Sequence, residues 1–115
     1  MLPKKFRLTR GFKKILRNGF FFSNSIFSVK FLPNYPEKTF RAAVFSQKKI
    51  WKKAVDRNLI KRRIFSIISN YKEKPETSVI FFPKKKIFTK KHLEIDNEIS
   101  NFLRFLLLNN YKIAI

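Results

Sequence analysis

The chain has 115 residues, 44% of them hydrophobic and 17% aromatic with 15 Phe, enough for one domain that buries roughly 65% of its unfolded surface, and too apolar for a charged disordered tail. Its 27 Lys and Arg against 7 Asp and Glu leave a formal charge of +20, whose self-repulsion calls for an anionic partner, nucleic acid first and an anionic membrane surface second. With no cysteine and a single histidine, His92, disulfides, thiol nucleophiles and thiolate zinc sites are excluded, a reducing compartment fits, and His92 reads as a solvated side chain.

The first 36 residues hold eight bases and no acid, a bias shared with mitochondrial presequences. Within them, "LTRGFKKILRNG" reads as a short helix. Thr9 is its expected cap, Phe12, Ile15 and Leu16 share a face, and Gly19 closes it. The opposite face carries Arg10, Lys13, Lys14 and Arg17. "SIFSVKFL", residues 25–32, alternates Phe27, Val29 and Phe31 with Ser28 and Lys30 and stops at Pro33, which predicts a strand. "NYPEK" makes a turn, and "FRAAVFS", residues 40–46, predicts a second strand.

A basic connection, Lys48 to Lys53 around Trp51, leads into a helix predicted over 54–71, with Ile60, Ile64, Ile67, Ile68 and Tyr71 on one core-facing stripe. "KEKPET" ends it. "SVIFF", residues 78–82, is a buried strand closed by Pro83, and "KKK" at 84–86 leads to a last helix from about Asp96, with Ile99, Phe102, Leu103 and Leu106 at helical spacing. Residues 109–115 read as a tail or a short extra strand. The pattern is α+β in a single domain over 1–115, with no repeat and no linker. The longest apolar run near the end, "FLLL" at 105–108, falls far short of the ~18 residues that span a bilayer.

Charge placement says more than total charge, because an AT-rich genome inflates Lys without functional cause. At 100° per residue, Asn58, Lys61 and Arg62 form a patch away from the isoleucine stripe, with Arg57 one turn before Lys61. Arg brings a planar fork for phosphate, Lys a point charge, and Asn58 sits near a helix start whose free N–H groups favour anions. A solvated face of a basic protein explains such a helix alone. Lys48, Lys49, Lys52 and Lys53 immediately upstream argue against it, since crowded like charges destabilise the fold unless an anion binds.

The stretch "KKIWKKAVDRNLIKRR", residues 48–63, resembles the signature of the protein subunit of bacterial ribonuclease P: a Lys-Lys pair, a short basic connection, Ala, and Arg-Asn-Arg-x-Lys-Arg on a helix. "RLTRGFKKILRNG", "FRAAVFSQKK", "SVIFFPKKKI" and "LEIDNEISNFLRFLL" resemble that family's first helix, the strand into the Lys-Lys pair, the last strand and the last helix. The likeness spans nearly the whole chain in order, and places the first helix inside the domain rather than in a presequence.

The resemblance implies a two-layer α/β sandwich, a four-stranded, mostly antiparallel sheet with three helices and a left-handed βαβ crossover through the basic helix. Such crossovers are overwhelmingly right-handed elsewhere. It also implies that the RNA subunit hydrolyses the phosphodiester with bound Mg2+, that the protein alone needs no cofactor, and that the partners are the catalytic RNA and precursor tRNA. Neither a membrane nor a protein partner is required, and the setting is the cytoplasm. Carried over by position, Lys48, Lys49, Arg57, Asn58, Lys61 and Arg62 face RNA, joined by Lys52 and Lys53. Phe12, Leu16 and Lys30 line the cleft for the 5′ leader.

Two positions depart from the pattern. Leu59 stands where the motif has its second Arg, with Lys52, Lys53 and Arg63 as the nearest substitutes, and Lys30 and Leu16 stand where other members carry aromatics. Leader binding is therefore expected to lean on charge more than on stacking. Trp51 is read either as a base-stacking ring or as a cover for the core edge. No catalytic or metal-binding set is expected of the protein. Glu94, Asp96 and Glu98 suit the start of a helix, as does Asp56. A ribosomal or other structural RNA-binding protein, and a peripheral membrane protein, are the competing functions. Copurifying RNA separates the first from the leading reading, and lipid pelleting tests the second.

Overall fold

Alternation along Phe27–Pro33 turns Phe27, Val29, Phe31 and Pro33 to the interior and leaves Ser28, Lys30 and Leu32 half-exposed on the other side, the mark of a strand with one fully covered face. In the computed structural model, which describes residues 2–109, this strand is β2. Before it come helix α1, Phe12–Asn18, and strand β1, Phe20–Ser23. After it come β3, Arg41–Val44, helix α2, Ala54–Asn70, β4, Thr77–Pro83, and helix α3, His92–Asn109. Short 3-10 turns occupy Lys4–Phe6 and Lys85–Thr89.

The strand order is β1-β2-β4-β3. β1 pairs antiparallel with β2, β2 antiparallel with β4, and β3 parallel with β4. A parallel neighbour requires a crossover connection, and here α2 supplies it. β4 is flanked on both sides and covered on both faces, so its "TSVIFFP" is continuously apolar apart from Thr77 and Ser78. The Ser78 hydroxyl is satisfied by the Tyr35 carbonyl.

The main core lies between one sheet face and helices α2 and α3. Ile60, Ile64, Ile67 and Ile68 of α2 are buried there, as the 3.6-residue period predicts, with Phe65 beside them and Tyr71 partly covered. From α3 come Ile95, Ile99, Phe102, Leu103 and Leu106. Phe102 is the centre of an aromatic cluster, its ring centroid 4.9 Å from Phe22, 5.7 Å from Phe31, 6.0 Å from Phe81 and 6.4 Å from Phe27. Offset and edge-on pairs of this kind add ~0.5–1.5 kcal/mol each beyond area burial. α1 packs on the opposite sheet face through Ile15, against Ala43 and Ile80, with Leu8 beside them.

Several boundaries differ from the sequence reading. β1 is an edge strand that periodicity does not reveal: in "FFFS" the first three positions are all Phe, although Phe22 turns to the core and Phe21 is exposed. Thr9 does not cap α1. Gly11 does, at a left-handed φ of 80° that glycine adopts without strain, and no side chain bonds the helix start. Gly19 closes the helix as expected, its N–H donating to the Ile15 carbonyl at 2.9 Å. A Cβ at Gly19 would stand 2.4 Å from the Ile15 oxygen and 2.9 Å from that of Phe31, so only glycine lets the backbone pass there. α3 begins at His92, four residues before Asp96, because Ile95 extends the apolar stripe one turn towards the N-terminus. α3 is described as far as Asn109, the first residue of the tail or terminal strand expected over 109–115, and the rest of that segment lies outside the described residues.

Candidate nucleic-acid interface

β3 hands the chain to α2 through residues 45–53, where the N–H groups of Ile50 and Trp51 both donate to the Gln47 carbonyl, at 3.0 and 2.8 Å. Trp51 pins this turn to the body of the protein. Its ring is 3% exposed and its Nε1 donates to the Pro83 carbonyl at 3.2 Å. Of the two roles open to it from the sequence, it therefore takes the core one. With Trp51 turned in, Lys48, Lys49, Lys52 and Lys53 around it all stand exposed.

On α2, Asn58, Lys61 and Arg62 are exposed together and line a groove of about 240 Å3 with Arg7 and Phe65. The Lys61 ammonium lies 5.8 Å from the Phe65 ring centroid, a cation–π contact that orients it along the groove. Arg7 arrives from the N-terminal segment, fixed by its Nε donating to the Leu2 carbonyl at 3.0 Å and by a parallel bridge to Ala42. Sequence spacing had no means of adding a residue fifty positions away. Leu59 is 40% exposed on this helix and brings an apolar side chain where the motif has a guanidinium.

Arg57 behaves differently from its neighbours. Its Nη1 donates to the Trp51 carbonyl at 2.6 Å and the Lys52 carbonyl at 3.3 Å, tying the first turn of α2 to the connection before it. Among the described residues, the ion pairs Arg10–Glu37, Arg41–Glu37 and Lys90–Glu94 draw on none of the eight sequence-predicted RNA contacts. Their positive field is thus left for an external anion. Lys74 sits over the Phe6 ring at 5.0 Å and donates to the Tyr71 carbonyl, and its pKa is lowered by burial first and by the charge of Lys5 second.

The second surface is the sheet face that carries α1. Phe12 and Leu16 of α1 are half-exposed and exposed, and Lys30 lies on the same face of β2. The register sets Lys30 between Phe21 of β1 and Ile80 of β4, with its ammonium 5.9 Å from the centroid of Phe21, a ring 63% exposed. Phe12 stacks on Phe45 at 5.7 Å with 18° between planes, and Phe45 meets Phe82 edge-on at 5.8 Å. Phe21, Phe45 and Phe82 were missed from the sequence. Strand parity carried the signal for Phe45, two residues after Ala43 and so on the same sheet face, and for Phe82, the half-exposed member of its strand.

The carboxylates are dispersed. Glu94 pairs with Lys90, Asp96 accepts from Ser100 Oγ at 3.0 Å, and Glu98 accepts from Asn24 at 3.4 Å. Among the described residues no three His, Asp or Glu side chains are grouped to hold a metal, and no helix is long and apolar enough to cross a membrane. His92 is exposed.

The family described as ribonuclease P matches residues 2–106. A Staphylococcus aureus RNase P protein mutant, described as defective in mRNA degradation, is 26% identical over 89% of this chain and 88% of its own, with a TM-score of 0.77. Another structure of the Staphylococcus aureus RNase P protein is 25% identical over 87% and 94%, with a TM-score of 0.74. That of Thermotoga maritima, at 24% identity over 84% and 94% and a TM-score of 0.73, shares the fold. No curated protein sequence matches the chain.

Proposed function

Since the chain belongs to the ribonuclease P protein family, as the protein subunit of a tRNA-processing ribonucleoprotein, we propose a division of labour between its two surfaces. The basic crossover docks on the catalytic RNA through Lys48, Lys49, Lys52, Lys53, Asn58, Lys61 and Arg62. The cleft beside α1 holds the single-stranded 5′ leader of precursor tRNA. The RNA subunit, with Mg2+, performs the phosphodiester hydrolysis, and the protein's residues bind, orient and neutralise. The work takes place in the cytoplasm.

The observation that carries this reading is the set of exposed cations Lys48, Lys49, Lys52, Lys53, Lys61 and Arg62, none of them paired with a carboxylate among the described residues. The leader assignment rests on Phe21 beside Lys30 and on the Phe12–Phe45 pair on the same face of the sheet, which offer ring faces as well as charge. Stacking is available here even though Lys30 and Leu16 themselves are not aromatic. A structural RNA-binding protein shares the crossover but has no need of such a cleft.

Reconstitution tests the whole. Added to a bacterial ribonuclease P RNA at low Mg2+, the protein is expected to restore cleavage of precursor tRNA at the mature 5′ end. Binding without restored cleavage rejects the subunit role.

Within the crossover, Arg57 separates from its neighbours. Arg57→Ala is expected to lower folding stability by about 1 to 3 kcal/mol, because it strips a charged donor from two carbonyls. Lys61→Ala with Arg62→Ala, both exposed, should leave urea unfolding within about 0.5 kcal/mol of the unaltered protein while weakening RNA binding. Equal stability losses in the two variants would mean that Lys61 and Arg62 also hold the fold.

A further inference from the structure

We infer that the cleft between the β3–α2 connection and the 3-10 turn Lys85–Thr89 is a second RNA-binding site, which takes one unpaired nucleotide of the RNA subunit. This rests on the reading of the chain as an RNA-binding subunit. The cleft measures about 510 Å3, within the ~300–1,000 Å3 of small-ligand sites. Its accessible apolar lining is Phe88 and Ile50, 39% and 37% exposed. The Phe88 ring is braced edge-on, at 4.7 Å and 72°, by the buried Trp51 indole, whose N–H is already consumed by the Pro83 carbonyl. An exposed aromatic ring is thus held in place by a fixed scaffold.

The walls are cationic. Lys52 and Lys53 stand on one side, Lys85 and Lys86 on the other, and Asp56 is the single acid. The "KKK" run divides by role: Lys84 is committed to Ser23 Oγ at 2.9 Å and the Asn24 carbonyl at 2.6 Å, whereas Lys85 and Lys86 point outward and are exposed. An exposed aromatic ring between lysine walls complements a nucleotide, whose base stacks while its flanking phosphates meet ammonium groups. A lipid headgroup has no planar ring to place there, and an acidic peptide would leave the apolar lining uncovered. The cleft is continuous with the crossover through Lys52 and Lys53 and belongs to the α2/α3 side of the sheet, whereas Phe12, Leu16 and Lys30 occupy the other face. The occupant is therefore assigned to the RNA subunit and not to the leader.

Trp51 is the only tryptophan, so its fluorescence reports directly on this cleft. Titration of the full chain with a uridine octamer, and separately with the RNA subunit, is expected to give a saturable change in Trp51 emission. Phe88→Ala should weaken the octamer about tenfold, the scale of one lost stacked base, and an abasic octamer of equal charge should bind the unaltered protein equally weakly. Lys85→Glu with Lys86→Glu, two exposed changes that leave the fold intact, should weaken both oligomers. Flat emission while anisotropy of labelled RNA shows binding overturns the proposal. So does an abasic octamer that binds as well as the uridine one, or a Trp51 response to leader-bearing precursor tRNA that the RNA subunit does not evoke. The octamer arm needs no cleavage and no RNA subunit, so failed reconstitution rejects the subunit role without deciding the cleft.

Discussion

Affinity for the RNA subunit is expected to fall by about 10³ to 10⁵ as monovalent salt rises from about 50 to about 200 mM, the loss that accompanies six to ten phosphate contacts. The candidate surface has cations in that range once Arg57 is set aside for its backbone role: Lys48, Lys49, Lys52, Lys53, Lys61 and Arg62, with Arg7 alongside. Since among the described residues none of them is spent on a carboxylate, each is free to displace condensed counterions from an RNA phosphate on binding. A plot of log affinity against log salt measures the number of contacts, and Lys61→Ala should reduce its slope by about one. A nearly flat plot would refute the basic-surface account, since no other feature of α2 would then hold RNA.

The second large effect concerns leader length. If the cleft holds the leader, the protein's gain in precursor tRNA affinity must vanish as the leader shortens to a single nucleotide, whereas cleavage by the RNA alone at high Mg2+ barely changes. With stacked bases worth about 1 to 3 kcal/mol each, rings such as Phe21 and the Phe12–Phe45 pair make this gain about ten- to a hundredfold or more. Phe21→Ala should remove part of it without touching RNA-subunit binding, because Phe21 lies on the far sheet face from α2. Lys30→Glu should do the same by repulsion. Phosphate contacts and stacking both tolerate sequence, so different leaders should behave alike. Dissociation constants measured against leader length, with and without protein, decide the matter: an effect equal for one nucleotide and eight means that the cleft is not a leader site.

How much of this was legible in the sequence depends on whether a residue's role is set by its own period or by a distant neighbour. The isoleucine stripe of α2 and the alternation of β2 are periodic, and both were readable, as was the outward patch Asn58, Lys61 and Arg62. β1 was hidden because three consecutive phenylalanines carry no parity. Arg57 looked like its neighbours until the carbonyls of Trp51 and Lys52 gave it a backbone to hold. The cleft aromatics come from β1, the end of β3 and β4, brought together by the strand order β1-β2-β4-β3, which the periodicity of any one segment does not contain. Trp51 in a lysine-rich stretch gave no local hint of its carbonyl partner at Pro83.

That strand order also bears on synthesis. Among the described residues β3 pairs only with β4 and, through a short bridge, with Arg7, and β4 lies between β2 and β3. While a ribosome is still making the chain, the β1–β2 hairpin has its register, but β3 must wait through all of α2 for the strand that fixes it. Only when residues 77–83 emerge does the sheet close, and the aromatic core needs Phe102 later still. Most of the nascent polypeptide therefore leaves the exit tunnel before its hydrophobic surface has anywhere to go. Its positive charge keeps it dispersed in the meantime, since strong net charge opposes association as well as compaction.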